Sequence, residues 1–226
     1  MPIPMQDKEK IAQNLSLVKE KIAIACKKSG RKEADVLLVA VSKYMTIEQI
    51  DILYELGVRD FAESYVQSLS NRYDYFKEYK DIKWHFIGHL QKNKVRKLFN
   101  IPIALIHSVD SVDLIRAISK RINDGVKCLL QVNFGLDNKE FGFRDLDELK
   151  RAIDVINQSR LIECQGLMCI APNTDDIEVI RSCFAQARSW ANILNLRELS
   201  MGMSNDYENA IEEGATIVRI GSALIS

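Results

Sequence analysis

Residues 36–43 read Val-Leu-Leu-Val-Ala-Val-Ser-Lys, six consecutive apolar side chains ended by a serine and a lysine. So short a run, with no polar alternation, reads as a strand buried on both faces, as the strands of parallel sheets are. Thr46 and Gln49 follow at capping-box spacing, and IEQIDILYEL (47–56) repeats its apolar residues at helical intervals. The unit is therefore strand, short loop, helix, with Lys43 where the strand leaves the core. Most lysines in that place are solvated charges, since lysine is rarely buried. An amine at a partly dry strand end can also capture an aldehyde as a Schiff base. Which applies depends on what else the fold brings beside it.

Working outward, the same unit recurs. Short apolar runs at VRDFAES (58–64), IKWHFIG (82–88), IALIHSV (103–109), VKCLLQVNFG (126–135), LIECQGLMCIAP (161–172), RELSMGMS (197–204) and ATIVRIGSA (215–223) predict seven further strands. Helical patterns separate them over 65–79, 91–99, 111–124, 146–159, 175–194 and 205–214. Eight strands alternating with helices, with no proline-rich or low-complexity break, predict a parallel α/β fold in a single domain spanning 1–226, and the count favours a closed (β/α)8 barrel. The rival open sheet would carry GxGxxG after its first strand, where this chain reads SKYMT. Upstream, residues 7–28 place Ile11, Leu15, Val18, Ile22 and Ala25 on one stripe among charges. This leading helix has no strand of its own and is expected to fill the gap after the eighth strand, which no helix is expected to follow.

Composition narrows the function. With 31 Lys plus Arg against 31 Asp plus Glu the chain has no global basic field, which argues against nucleic-acid binding. Lys92, Lys94, Arg96 and Lys97 read as a solvated helix face. The five cysteines are scattered and never spaced as CxxC, so neither a disulfide framework nor a metal site is expected, and a reducing compartment is. MPIPMQDKEK lacks the apolar core of a signal peptide, and no stretch is long and apolar enough to span a bilayer, which points to a cytoplasmic protein free of membranes.

In a barrel the loops at the C-terminal strand ends share one face, and function is sought there. SMGMSND (200–206) sets serine, glycine and a second serine directly before a helix, and RIGS (219–222) adds Gly221 and Ser222 one strand later. Loops after the seventh and eighth strands are where barrels commonly hold phosphate; glycines in tight turns are the plainer account of Gly202 and Gly221. Arg219 alternates with Val218 and Ile220 inside the barrel and must find an acceptor there. An amine, a phosphate cradle and an arginine together match what pyridoxal 5'-phosphate (PLP) requires. Because arginine keeps its proton, a ring nitrogen facing it stays unprotonated, and the cofactor becomes a weak electron sink.

On AVSK, WHFIGHLQKNK, QVN, GLM, LSMGMSND and VRIGSA, from about residue 35 to the C-terminus, the chain resembles the pyridoxal phosphate homeostasis protein family, small barrels related to the N-terminal domain of alanine racemase. The resemblance implies that Lys43 carries the Schiff base, that Ser200, Gly202, Gly221 and Ser222 hold the phosphate, and that Arg219 faces the pyridine nitrogen. It also implies control of free PLP and other B6 vitamers without a catalytic residue, with transient contact to PLP-dependent apoenzymes. Two positions depart from the family pattern. Ser64 stands where GEN would place an asparagine near the cofactor, and after the fifth strand Glu140 occupies the usual lysine spacing, with Lys139 one step earlier and assigned no function.

His85, in WHFIG, is pointed into the barrel by alternation, either as a hydrogen-bonded core residue or as a cofactor neighbour. Met168, Met201 and Met203 either line a cofactor ring or fill core. The principal rival to a carrier is a PLP-dependent amino-acid racemase, whose second acid/base in alanine racemases comes from a separate domain across a dimer. The expectation here is a monomer.

Overall fold

The computed structural model describes residues 5–135 and 141–226, with side chains from Asp7 onward. Eight parallel strands close into a barrel in sequence order: β1 (Leu37–Val41), β2 (Asp60–Glu63), β3 (Lys83–Phe86), β4 (Ile103–Val109), β5 (Val126–Gln131), β6 (Ile162–Met168), β7 (Glu198–Ser200) and β8 (Ile217–Ile220). Strand β1 pairs with both β2 and β8, Val39 opposite Arg219 and Ala40 opposite Phe61, which closes the cylinder. The helices are α1 (Met5–Lys28), α2 (Ile47–Glu55), α3 (Val66–Tyr75), α4 (Val95–Leu98), α5 (Val112–Ser119), α6 (Leu146–Asn157), α7 (Ile177–Ile193), α8 (Tyr207–Glu212) and α9 (Ser222–Ile225). Among the described residues, no helix is long and apolar enough to cross a membrane.

Strand alternation sorts the core into two layers. Phe61, Trp84, Phe86, Ile106, Leu130 and Val218 point outward beneath the helices, while Val39, Ala62, Leu105, Leu129, Met168 and Ile217 fill the barrel interior. The expected capping box is present at α2: Thr46 Oγ1 accepts from the Gln49 amide at 3.2 Å, and Gln49 Oε1 accepts from the Thr46 amide at 2.9 Å.

The first strand is buried only toward its end. Leu37 is 37% exposed because β1 begins at the open N-terminal mouth, and full burial starts at Val39. The basic stretch after β3 forms a 3-10 turn and the single helical turn α4 rather than one long helix.

The stripe of α1 is buried at all five positions read from the sequence, against α8, α9 and α2. One turn of helix, α9, does follow β8, contrary to expectation. Helix α1 pins it, with Asn14 Nδ2 donating to the Ser226 carbonyl at 3.0 Å. The leading helix therefore holds the turn that carries Ser222.

Candidate functional site

A cavity of about 950 Å3 opens at the C-terminal mouth, and Lys43, Met203, Ser204, Arg219, Gly221 and Ser222 line it. Lys43 lies on a 3-10 turn, Ser42–Tyr44, directly after β1. Its ammonium sits 4.8 Å from the centroid of the Tyr44 ring and, among the described residues, forms no ion pair.

That turn is braced from beneath by a buried ion pair. Glu63, at the end of β2, accepts from Ser42 Oγ at 2.7 Å and lies 2.5 Å from Arg72 Nε. Arg72, on α3, donates to the carbonyls of Ser42 at 2.8 Å and Met45 at 2.9 Å, on either side of Lys43. Burial pushes the Glu63 carboxyl above its ordinary range, and Ser42 and Arg72 pull it back. Neither partner was singled out for this role by the sequence, since a buried Glu at a strand end and an Arg on a helix carry no periodic signal.

The turns after β7 and β8 meet beside the lysine. Ser204 Oγ, on the wall, accepts from the amides of Gly221 and Ala223, both at 3.3 Å, which ties the two turns together beside the cavity. Asp206 fixes the loop by accepting from the Met203 amide at 2.6 Å. The glycines differ in role. Gly221 lines the cavity, and an added Cβ there would meet the Val41 carbonyl at 3.3 Å. Gly202 does not line it: at φ +89° its added Cβ would lie 2.6 Å from the Ala210 Cβ, so its glycine serves the turn and the packing of α8.

Arg219 is buried and finds the acceptors it needs. Nη1 donates to Ser200 Oγ at 2.7 Å and Nη2 to the Cys169 carbonyl at 3.0 Å, leaving donors of the five-donor fork free for the cavity. Burial lowers its pKa from the usual value, and the nearby Cys169 and Asp206 oppose that shift.

Several expected site residues lie elsewhere. Ser200 is fully buried and its hydroxyl is engaged by Arg219 and His107, so it is not on the cavity wall; Ser204, four residues on, is. His85 lines a different cavity, at the N-terminal mouth, where it meets Asp60. Met168 is core, packed inside the barrel with Val39 and Leu129. Ser64 is half-buried and off the cavity wall, and its carbonyl is what an added Cβ at Gly88 would strike, at 1.9 Å. Lys139 and Glu140 lie outside the described residues.

His107, on β4, was not singled out in the sequence. Burial, with His85 and Arg219 nearby, holds its pKa well below the usual 6.5. The unfolded chain therefore binds a proton that the folded one refuses. The contribution of this histidine is complete above about pH 6.5 and is lost as pH falls below it. Chemical denaturation at stepped pH is expected to show this acid slope, and His107→Asn to flatten it.

The family model described as "Alanine racemase, N-terminal domain" matches residues 7–226. The pyridoxal phosphate homeostasis protein of Aquifex aeolicus is 38% identical over 94% of this chain and 96% of its own. The structure of PipY from Synechococcus elongatus, solved with PLP bound, superposes with a TM-score of 0.82 at 31% identity, over 96% of this chain and 100% of that one. Alanine racemase from Corynebacterium glutamicum shares the fold at 15% identity and a TM-score of 0.67, over 96% of this chain and 60% of that chain. Similarity that runs unbroken from the leading helix to the last turn shows that this chain belongs to the pyridoxal phosphate homeostasis protein family, built on the barrel of the alanine racemase N-terminal domain.

Proposed function

We propose that this protein is a cytoplasmic, monomeric carrier that holds PLP reversibly on Lys43 and takes part in B6 homeostasis, without catalysing a reaction of its own. The observation that carries this reading is that Lys43, the Ser204–Gly221–Ser222 wall and Arg219 line one cavity. The donor set fits the group: a primary amine for an aldehyde, hydroxyls and backbone N–H groups for a dianion, and a guanidinium for a ring nitrogen.

PLP, when bound, would supply an aldehyde that one amine captures with loss of water and that a second amine can take over, releasing the first. Lys43 provides that first amine, on a turn held by Glu63 and Arg72. Ser204, Ser222 and the amides of Gly221 and Ala223 would hold the phosphate. Arg219 has only donors to offer, so it would hold a ring nitrogen in its unprotonated form and make the bound group a weak electron sink. Other B6 vitamers and PLP-dependent apoenzymes are the partners this role requires.

The two readings separate by assay. Protein loaded with PLP is expected to show background racemisation and transamination across amino acids; saturable turnover lost in Lys43→Ala would establish the enzyme instead. Protein that takes up no PLP would exclude both. Ser204→Ala is expected to weaken PLP retention roughly tenfold, about 1.4 kcal/mol, as fits one lost hydrogen bond to a charged group. Equilibrium dialysis against PLP measures it.

A further inference from the structure

Five buried side chains form a hydrogen-bonded file through the barrel. At its lower end, Asp60 and His85 line a cavity of about 770 Å3 at the N-terminal mouth; at its upper end, Arg219 lines the cavity that contains Lys43. The links are Asp60 Oδ1 to His85 Nε2 at 3.0 Å, His85 Nδ1 to His107 Nε2 at 2.9 Å, His107 Nδ1 to Ser200 Oγ at 2.7 Å, and Ser200 Oγ to Arg219 Nη1 at 2.7 Å.

Donor counting fixes the direction of every link. With both imidazoles neutral, the Asp60 carboxylate takes the one ring hydrogen of His85, at Nε2, so the links above it run in one sense: Ser200 Oγ accepts from the Arg219 guanidinium and donates its own hydrogen to His107 Nδ1. A neutral His107 then carries its proton on Nε2 and donates to His85 Nδ1. His85 in turn carries its proton on Nε2, facing the Asp60 carboxylate. All donors point from Arg219 down to Asp60, and no hydrogen in the file lacks an acceptor. While both imidazoles are neutral, the opposite order would set a bare His85 Nε2 against the Asp60 carboxylate.

We infer that Asp60, His85, His107 and Ser200 form a positioning relay that couples the hydrogen bonding of Arg219 to the protonation of the Asp60–His85 pair at the opposite mouth. One proton taken from solvent at that mouth leaves His85 with hydrogens on both nitrogens, Nε2–H toward Asp60 and Nδ1–H toward His107. His107, still neutral, must then accept at Nε2 and carry its proton on Nδ1. Ser200 Oγ now receives two donors, one from His107 and one from Arg219, and its own hydrogen turns away. The link to Arg219 is weakened by an event at the far end of the barrel. Around His85, the charged groups of the mouth are Arg31, Asp35, Lys83, Lys127, Arg197 and Glu198; near Arg219 they are Asp206 and, on the same cavity, Lys43, with the protonated thiol of Cys169 alongside. The relay belongs to the chain's own side chains, and its effect on PLP rests on the reading that Arg219 faces the ring nitrogen.

The test begins without PLP, with imidazole 15N NMR of the protein across pH. His107 Nδ1 is expected in the unprotonated range at high pH, and to become protonated at the same midpoint at which His85 gains its second proton. Asp60→Asn should move both midpoints together. A His107 tautomer that does not change across the His85 transition, a His107 already protonated on Nδ1 at high pH, or no transition in either ring before unfolding would each overturn the relay. In PLP-loaded protein, Asp60→Asn should displace the pH midpoint of the bound absorption band by the same shift, although Asp60 lies outside that cavity. If instead Arg219→Lys leaves the band unchanged while the two histidines titrate together, the ring-nitrogen assignment fails and the relay stands.

Discussion

Lys43→Ala is expected to abolish covalent capture of PLP altogether, from a stoichiometric adduct after borohydride reduction to none, while leaving the fold at wild-type stability. The absorption band of the loaded protein should vanish with the adduct. The stability claim follows from position: Lys43 is exposed on a 3-10 turn, stacked on Tyr44, which is itself 78% exposed, and carries no buried contact. Substitutions at such sites stay within about 0.5 kcal/mol. Intact mass after reduction reads the first effect and a denaturation midpoint the second. An adduct persisting at wild-type level in the variant would transfer the aldehyde-binding role to another amine.

Arg72→Met is expected to be the most destabilising single substitution at the site. Glu63 is fully buried, and Arg72 is the cation that balances it. Removing one partner of a buried pair strands the other charge at a cost of about 3–5 kcal/mol, on the order of 10 °C in Tm for a chain of this size. The same substitution frees the carbonyls of Ser42 and Met45, so the turn carrying Lys43 loses its brace and PLP capture slows. The double variant Arg72→Met/Glu63→Leu should recover most of the stability but not the rate of capture, since no side chain then holds the turn. Thermal unfolding and stopped-flow absorbance separate the two. A single variant as stable as the parent would mean that the pair does not stabilise the fold.

Much of this was legible in the chain itself. The eight-strand alternation was, because apolar runs too short for helices recur in turn with longer stretches of helical spacing. The stripe of α1 was, because Ile11, Leu15, Val18, Ile22 and Ala25 recur at three- and four-residue steps on one face. What escaped depended on direction rather than pattern. Ser200 and Ser204 both lie near the end of β7, and no periodicity says which faces the cavity once Gly202, at φ +89°, turns the chain between them. Asp60, His85 and His107 are inward positions on neighbouring strands, but a polar residue at an inward position gives no sign of whether it meets a ligand or another polar residue. Pairing across β2, β3, β4, β7 and β8 decided that they meet each other. Their company drew His85 and Ser200 away from the cavity and left Arg219 as the point where the interior file and the Lys43 site join.

The most direct measurement is a crystal structure of the protein loaded with PLP. The account predicts continuous density from Lys43 Nζ to the pyridoxal ring, the phosphate against Ser204, Ser222 and the amides of Gly221 and Ala223, and the ring nitrogen within hydrogen-bonding distance of Arg219. A phosphate bound at the N-terminal mouth, or a ring attached to a different lysine, would contradict it.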